Sequence, residues 1–175
     1  MLIVYIIAFA YTLLLILVLG SSAYNLLRTG VPFVPSPVKE LAFVYAELGL
    51  NSADVLIDLG SGDGRVCFGF ERATAGRAVG VELARWGYYW SRLRAKARGS
   101  RAQFLRKNFF NQSWAEATVI YSYTLPQVMA QIGAKARSEC RGGTKLISRD
   151  FEIPGWQPVL AIPAKRGHTF YIYQI

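Results

Sequence analysis

Val55-Leu56-Ile57-Asp58-Leu59-Gly60-Ser61-Gly62-Asp63-Gly64-Arg65 is an apolar run that passes into an acidic, glycine-spaced turn and then into a helical stretch. Residues 54–59 are Val, Ile and Leu apart from Asp54 at the start and Asp58 near the end, as expected of a central parallel strand buried on both faces. Gly60, Gly62 and Gly64 allow a sharp turn and the close approach of a ligand, because no Cβ blocks positive φ or near contact. In open α/β sheets, ligands sit at the carboxyl ends of such strands. The stretch therefore reads as the floor of a binding site.

Glycine spacing alone does not name the ligand, since dinucleotide-binding turns and ordinary tight turns share it. A dinucleotide fingerprint is G-x-G-x-x-G with a pyrophosphate on the helix N-terminus. Here the order is Asp58-x-Gly60-x-Gly62-x-Gly64, with Asp63 inside the turn. Two carboxylates would repel a pyrophosphate and attract a ligand with an ammonium group, and S-adenosylmethionine is such a ligand. The second mark is Val79-Gly80-Val81-Glu82, an apolar strand ending in an acid that can accept hydrogen bonds from ribose hydroxyls.

Outward from this centre the chain alternates as a doubly wound sheet does. A helix is expected over 37–48, with Ser36 as N-cap and Pro37 at its first position. Then follow strand 54–59, helix 64–74, strand 77–82, helix 84–98, strand 102–106, a short irregular piece 109–116, strand 117–123, helix 125–139 and strand 143–149. Segments 157–163 and 167–175 read as a terminal hairpin. The link Asp150 to Trp156 is too short for a full helix. The expected fold class is α/β, a doubly wound seven-strand Rossmann-like sheet preceded by one N-terminal transmembrane helix.

That last element rests on Met1–Leu27, which has no charged side chain, and on the apolar run Leu2–Leu19. A helix needs ~20 such residues to cross a bilayer core. A cleavable signal peptide, with Ser21-Ser22-Ala23 as its site, is the rival, but it lacks a basic start. Export would also separate the chain from its cofactor. The expectation is a single-pass membrane protein with an anchor over 1–27 and a catalytic domain over 28–175, placed in the cytoplasm by the basic residues that follow the helix.

The net charge of +9 is concentrated in Arg85, Arg92, Arg94, Lys96, Arg98, Arg101, Arg106 and Lys107, with no acid between them. Such a patch suits an anionic bilayer surface, nucleic-acid phosphate, or plain solvation. The bilayer is expected here as a partner through both the N-terminal helix and this patch, and nucleic acid is not. Two cysteines, Cys67 and Cys140, are too few for a metal site or a disulfide framework. His168 has no acid or nucleophile near it in sequence.

On Asp58-Leu59-Gly60-Ser61-Gly62-Asp63-Gly64 and Glu82 the chain resembles the class I, seven-strand S-adenosylmethionine-dependent methyltransferases. Pro32-Phe33-Val34-Pro35-Ser36-Pro37 and Ser148-Arg149-Asp150-Phe151-Glu152-Ile153-Pro154-Gly155-Trp156-Gln157-Pro158 are similar to segments of the small membrane-anchored protein-lysine methyltransferases. Eukaryotic members of that family modify the ATP synthase c-subunit or the adenine nucleotide translocase, and prokaryotic relatives exist. The resemblance implies a methyl transfer from S-adenosylmethionine to lysine of a membrane-associated protein, without a metal.

The site expected from these readings has Asp58 with Gly60, Ser61, Gly62, Asp63 and Gly64 at the methionine and ribose end. Glu82 takes the ribose hydroxyls, Asn108 with Phe109 the adenine, and Ser36 the methionine carboxylate. The family tends to have an Asp where this chain has Asn108. The substrate slot is assigned to Tyr123, Phe33 and Trp156, with Phe151 as a further ring and Asp150 or Glu152 as acceptors. A lipid-soluble small substrate, an RNA substrate and a non-catalytic binding module are the alternatives.

Overall fold

The computed structural model describes residues 1–29 and 34–175. It forms two compact units, Met1–Val34 and Pro35–Ile175. In the first, α1 runs Leu2–Thr29. The side chains at 14, 17–19 and 21–29 lie outside the described ones. Among the described residues no helix is long and apolar enough to cross a membrane. That finding overturns the expected single-pass membrane localisation and the bilayer contact through the N-terminal helix: the described apolar side chains of α1 fall short of the ~20 residues a span requires. Phe33 lies outside the described residues.

The second unit starts with α2 (Val38–Glu47), whose Leu41, Val44 and Tyr45 are buried at helical spacing. The expected N-cap shifts by one residue. Pro37 is the cap and no side chain caps the helix. The Ser36 hydroxyl instead accepts a hydrogen bond from Tyr121 Oη at 3.0 Å. Gly49, at φ +64°, ends the helix in the left-handed conformation that glycine adopts without a Cβ penalty.

The chain then alternates β1 (Val55–Leu59), α3 (Arg65–Thr74), β2 (Arg77–Val81), α4 (Arg85–Arg98), β3 (Gln103–Leu105), β4 (Val119–Ser122), α5 (Met129–Glu139), β5 (Lys145–Arg149), β6 (Leu160–Pro163) and β7 (Thr169–Gln174). The seven strands form one sheet in the order β3-β2-β1-β4-β5-β7-β6. The five strands from β3 to β5 are parallel, and β7 runs antiparallel to both β5 and β6. No α-helix separates β5 from β6, in line with the short link read from the sequence. The strand order reverses between β1 and β4, which opens a crevice at their carboxyl ends.

Two apolar clusters fill the two faces of the sheet. Leu56, Val119, Tyr121 and Ile147 point toward Leu41, Tyr45, Cys67 and Phe70 of α2 and α3. Ile57, Leu59, Ile120 and Leu146 meet Trp114 and Met129, Ile132 and Ala136 of α5. The central strands thus bury alternate residues on opposite faces, which is why they read as continuous apolar runs. Each fully buried Leu, Ile or Val stabilises the fold by ~1.5–3 kcal/mol before entropy is counted.

In α4, Ser91 and Ala95 face inward. The outer face is unusual for a solvated helix: Trp86, Tyr89, Trp90 and Leu93 are exposed. Trp86 and Trp90 stack on each other, 5.7 Å apart and 9° from parallel.

Candidate functional site

Asp58 is the next-to-last residue of β1, in register with Gly80 on β2 and Tyr121 on β4. It is buried, and its carboxyl is pushed up to about 8 by that burial and then by the nearby Glu82 charge. A buried carboxyl that keeps its proton this far up ionises readily only beside a cation. Beyond it, Gly60 and Ser61 donate their amides to Val81 O at 2.9 and 3.1 Å. Gly60 sits at φ +82°, and a Cβ there would project into open space, leaving room for a ligand to approach the backbone.

Glu82 braces this turn. Its Oε2 accepts from Gly62 N and its Oε1 from Ala84 N, both at 2.7 Å. Burial raises its pKa against the pull of those amides. Each carboxylate oxygen keeps a second lone pair, so hydroxyls of a ribose can still be accepted. Asp63 is committed elsewhere. It pairs with Arg65 at 2.8 Å and Arg94 at 2.5 Å. Burial opposes its charge, but the hydrogen bond and charge of Arg65, with the charge of Arg94, hold it below the usual carboxylate range. Asp63 thereby ties the turn to α4.

At the other end, Asn108 Oδ1 accepts from Phe110 N at 2.9 Å, starting a short 3₁₀ turn at Phe109–Asn111. Its carbonyl, through a second lone pair, and its amide nitrogen can both meet a base. Ser36 reaches the crevice through Tyr121, and Tyr123 stands beyond the end of β4 on the same face. Trp156 and Phe151 pack against the opposite cluster. Trp156 lies edge-on to Tyr173 at 5.8 Å, with Arg137 over its ring at 4.2 Å. The structure places Asp58, Glu82, Ser36 and Tyr123 around the carboxyl ends of β1, β2 and β4 and Trp156 against the other face of the sheet, so Tyr123 and Trp156, expected in one slot, lie apart. A hollow of about 230 Å³ beside Trp156 and Ile175 is likewise remote from Asp58. Asp150, expected as an acceptor, is bound to His168 Nδ1 at 2.8 Å.

Nothing in the sequence signals what Gly80, Gly87 and Arg94 do at this turn. Gly87 packs against the turn, since a Cβ there would stand 3.0 Å from Gly62 O. At Gly80 a Cβ would come within 2.6 Å of Ser61 Oγ and 2.7 Å of Phe104 Cδ1. Gly80→Ala should cost ~1–3 kcal/mol by overpacking and weaken cofactor binding as Ser61 is displaced. Thermal melting with and without cofactor measures both effects.

The residues present fit S-adenosylmethionine on three counts: a buried acid for its ammonium, an open glycine for backbone approach, and a braced acid for its ribose. Ser61 Oγ is buried without a hydrogen-bond partner among the described residues, a further polar atom available to a ligand. Among the described residues no group of His, Cys, Asp and Glu could hold a metal ion.

Residues 58–160 match the model of the ANTKMT methyltransferase domain. A protein-lysine N-methyltransferase of Saccharolobus islandicus is 32% identical over 151 residues, covering 83% of this chain and 94% of that protein. The lysine N-methyltransferase of Rattus norvegicus named for the ATP synthase c-subunit is 32% identical over 130 residues, covering 73% of this chain but 59% of that protein. Among solved structures, an RNA methyltransferase from Salinibacter ruber in complex with S-adenosyl-L-homocysteine is 32% identical. It superposes with a TM-score of 0.75 over 81% of this chain and 94% of that one.

Proposed function

Since the chain belongs to the ANTKMT methyltransferase domain family, we infer that it transfers methyl groups from S-adenosylmethionine to lysine side chains of a protein substrate. S-adenosylmethionine is the cofactor and the chain is a methyltransferase. The observation that carries the reading is the buried, charge-poor Asp58 beside a glycine turn that Glu82 braces. We take 28–175 as the methyltransferase domain, its family match spanning 58–160.

Bound at this turn, S-adenosylmethionine supplies a methyl group already activated by its sulfonium. Asp58 accepts hydrogen bonds from the cofactor's ammonium and becomes ionised as it does so. Glu82 accepts from the ribose hydroxyls through lone pairs not used by Gly62 and Ala84. Asn108 and Phe109 hold the adenine, Asn108 donating from its amide nitrogen. Ser36 and Tyr121 fix the segment that covers the methionine end. The incoming lysine must lose its proton to solvent before it attacks, and burial beside the Tyr123 ring, by stripping the amine of water, disfavours the ammonium form. The lone pair and the methyl carbon must then be held in line, which is a matter of positioning.

The exposed aromatic and basic face of α4 is the surface we assign to the protein substrate. Trp and Arg dominate the energetics of interfaces; Trp86 and Trp90 stack on each other, and Arg92 lies over Tyr88 on the same helix. Replacing both Trp86 and Trp90 by Ala should raise KM for the protein about tenfold, the size of losing one strong anchor, with cofactor affinity unchanged. Steady-state kinetics alongside cofactor titration separates the two.

The likeness to the Salinibacter ruber RNA methyltransferase supports a second reading, since α4 would also suit phosphate. Labelled cofactor incubated with cell extract decides between them. Label in protein that survives nuclease supports the lysine reading. Label in RNA, with binding that weakens steeply with salt, would replace it, and label in the organic phase would point to a small lipid-soluble substrate.

A further inference from the structure

Arg149 is the last residue of β5, one step past the paired ends of β4 and β5. Its side chain is 6% exposed. The guanidinium lies over the ring of Tyr123, 4.6 Å from the centroid, with the Phe170 ring at 5.8 Å. Its Nε and Nη1 are buried and have no hydrogen-bond acceptor among the described residues. Buried donors without partners are costly and are rare in folded proteins.

The neighbouring acid does not fill the gap. Asp150 Oδ2 is 3.7 Å from Nε, too far for a hydrogen bond. Both its oxygens are already in use, Oδ2 by His168 Nδ1 at 2.8 Å and Oδ1 by Thr169 N at 3.1 Å. Asp150 is held there at φ +66°, a conformation that L-residues other than Asn and Asp seldom take and that is stored where the surroundings dictate it. The ion pair thus balances the charge of Arg149 and leaves its donors open. They lie at the crevice end of the sheet: the guanidinium stacks on Tyr123, just past β4, and Tyr121 on β4 holds Ser36 and is in register with Asp58.

We propose that Arg149 binds a carboxylate at the β4–β5 end of the crevice, supplied by the methionine end of the cofactor or by an acidic side chain next to the target lysine. A guanidinium with open donors is matched best by a planar oxyanion. The inference rests on the methyltransferase reading and adds a recognition residue to it.

The test uses the full chain and Arg149→Gln, with S-adenosylmethionine and its decarboxylated analogue, and with two lysine peptides that differ only in Glu or Gln beside the lysine. If the cofactor supplies the carboxylate, the wild-type chain binds the decarboxylated analogue at least about tenfold more weakly, the worth of one charge-assisted contact, and Arg149→Gln removes the difference. If the acceptor supplies it, the wild-type chain has a lower KM for the Glu peptide at equal kcat, and Arg149→Gln removes that preference with cofactor affinity unchanged. A wild-type chain that discriminates neither pair overturns the proposal, and this holds even if the variant does not fold. So does a folded variant that discriminates as the wild type does. A wild-type chain that binds no cofactor or methylates no lysine is instead a failure of the methyltransferase reading.

Discussion

Asp58→Asn is expected to lower methyl transfer by about 100-fold or more while leaving the fold intact. The loss is that of a charge-assisted hydrogen bond in a low-dielectric site. The fold is spared because Asp58, with its carboxyl pushed up from 3.8 to about 8 by burial and by Glu82, is largely protonated in the free protein at neutral pH, and an amide mimics that form. A carboxyl whose folded value is raised favours folding fully below its unfolded value. That contribution fades as pH rises through the folded value. The wild-type protein without cofactor should therefore lose stability between pH 3.8 and about 8, and Asp58→Asn should flatten this slope. Cofactor binding has the opposite sign, because the ammonium demands the ionised acid. The cofactor Kd should fall by up to about tenfold per pH unit below about 7.5, above which the ligand's own amine starts to titrate. Calorimetric titration across that range, with the variant as control, measures it. A Kd independent of pH in the wild type would contradict the role of Asp58.

Trp114→Ala carries the largest expected cost in stability, ~3–5 kcal/mol, or a drop of about 10 °C in Tm for a chain of this size. Trp114 is fully buried and its Nε1 donates to Phe109 O at 3.2 Å. Its backbone amide donates to Glu139 Oε2 at 2.9 Å, and Lys135 Nζ lies 5.1 Å over the ring. The residue therefore links the turn assigned to the adenine with α5. Removing the ring leaves a cavity and also loosens that turn, so cofactor affinity should weaken together with stability. Trp114→Phe keeps most of the volume and loses the N–H, and its cost should be smaller. Thermal melts and cofactor titrations of the two variants separate packing from the hydrogen bond.

The strands and the cofactor turn are legible in the sequence because both are local. An apolar run such as 55–59 declares a buried parallel strand, and Asp58, the glycines and Glu82 carry their spacing with them. What stays hidden depends on which distant segments meet. Ser36 reads as a helix cap but bonds Tyr121, since the register of β4 against β1 brings that hydroxyl to the linker. Asp63 reads as open to a ligand but pairs with Arg94 across 31 positions. His168 has no acid near it in sequence, yet the antiparallel pairing of β5 with β7 sets it against Asp150. Trp156 reads as a neighbour of Tyr123, but the chain leaving β5 carries it to the opposite face of the sheet. Arg149 stands in the sequence only as one member of a longer segment, because burial and unfilled donors have no sequence signal.

The most direct test is mass spectrometry of proteins from an extract incubated with S-adenosylmethionine and either the wild-type chain or Asp58→Asn. Increments of one or more methyl groups on lysine side chains are expected with the wild type and none with the variant. Methylation confined to RNA or small molecules, or lysine methylation equally strong with Asp58→Asn, would contradict this expectation.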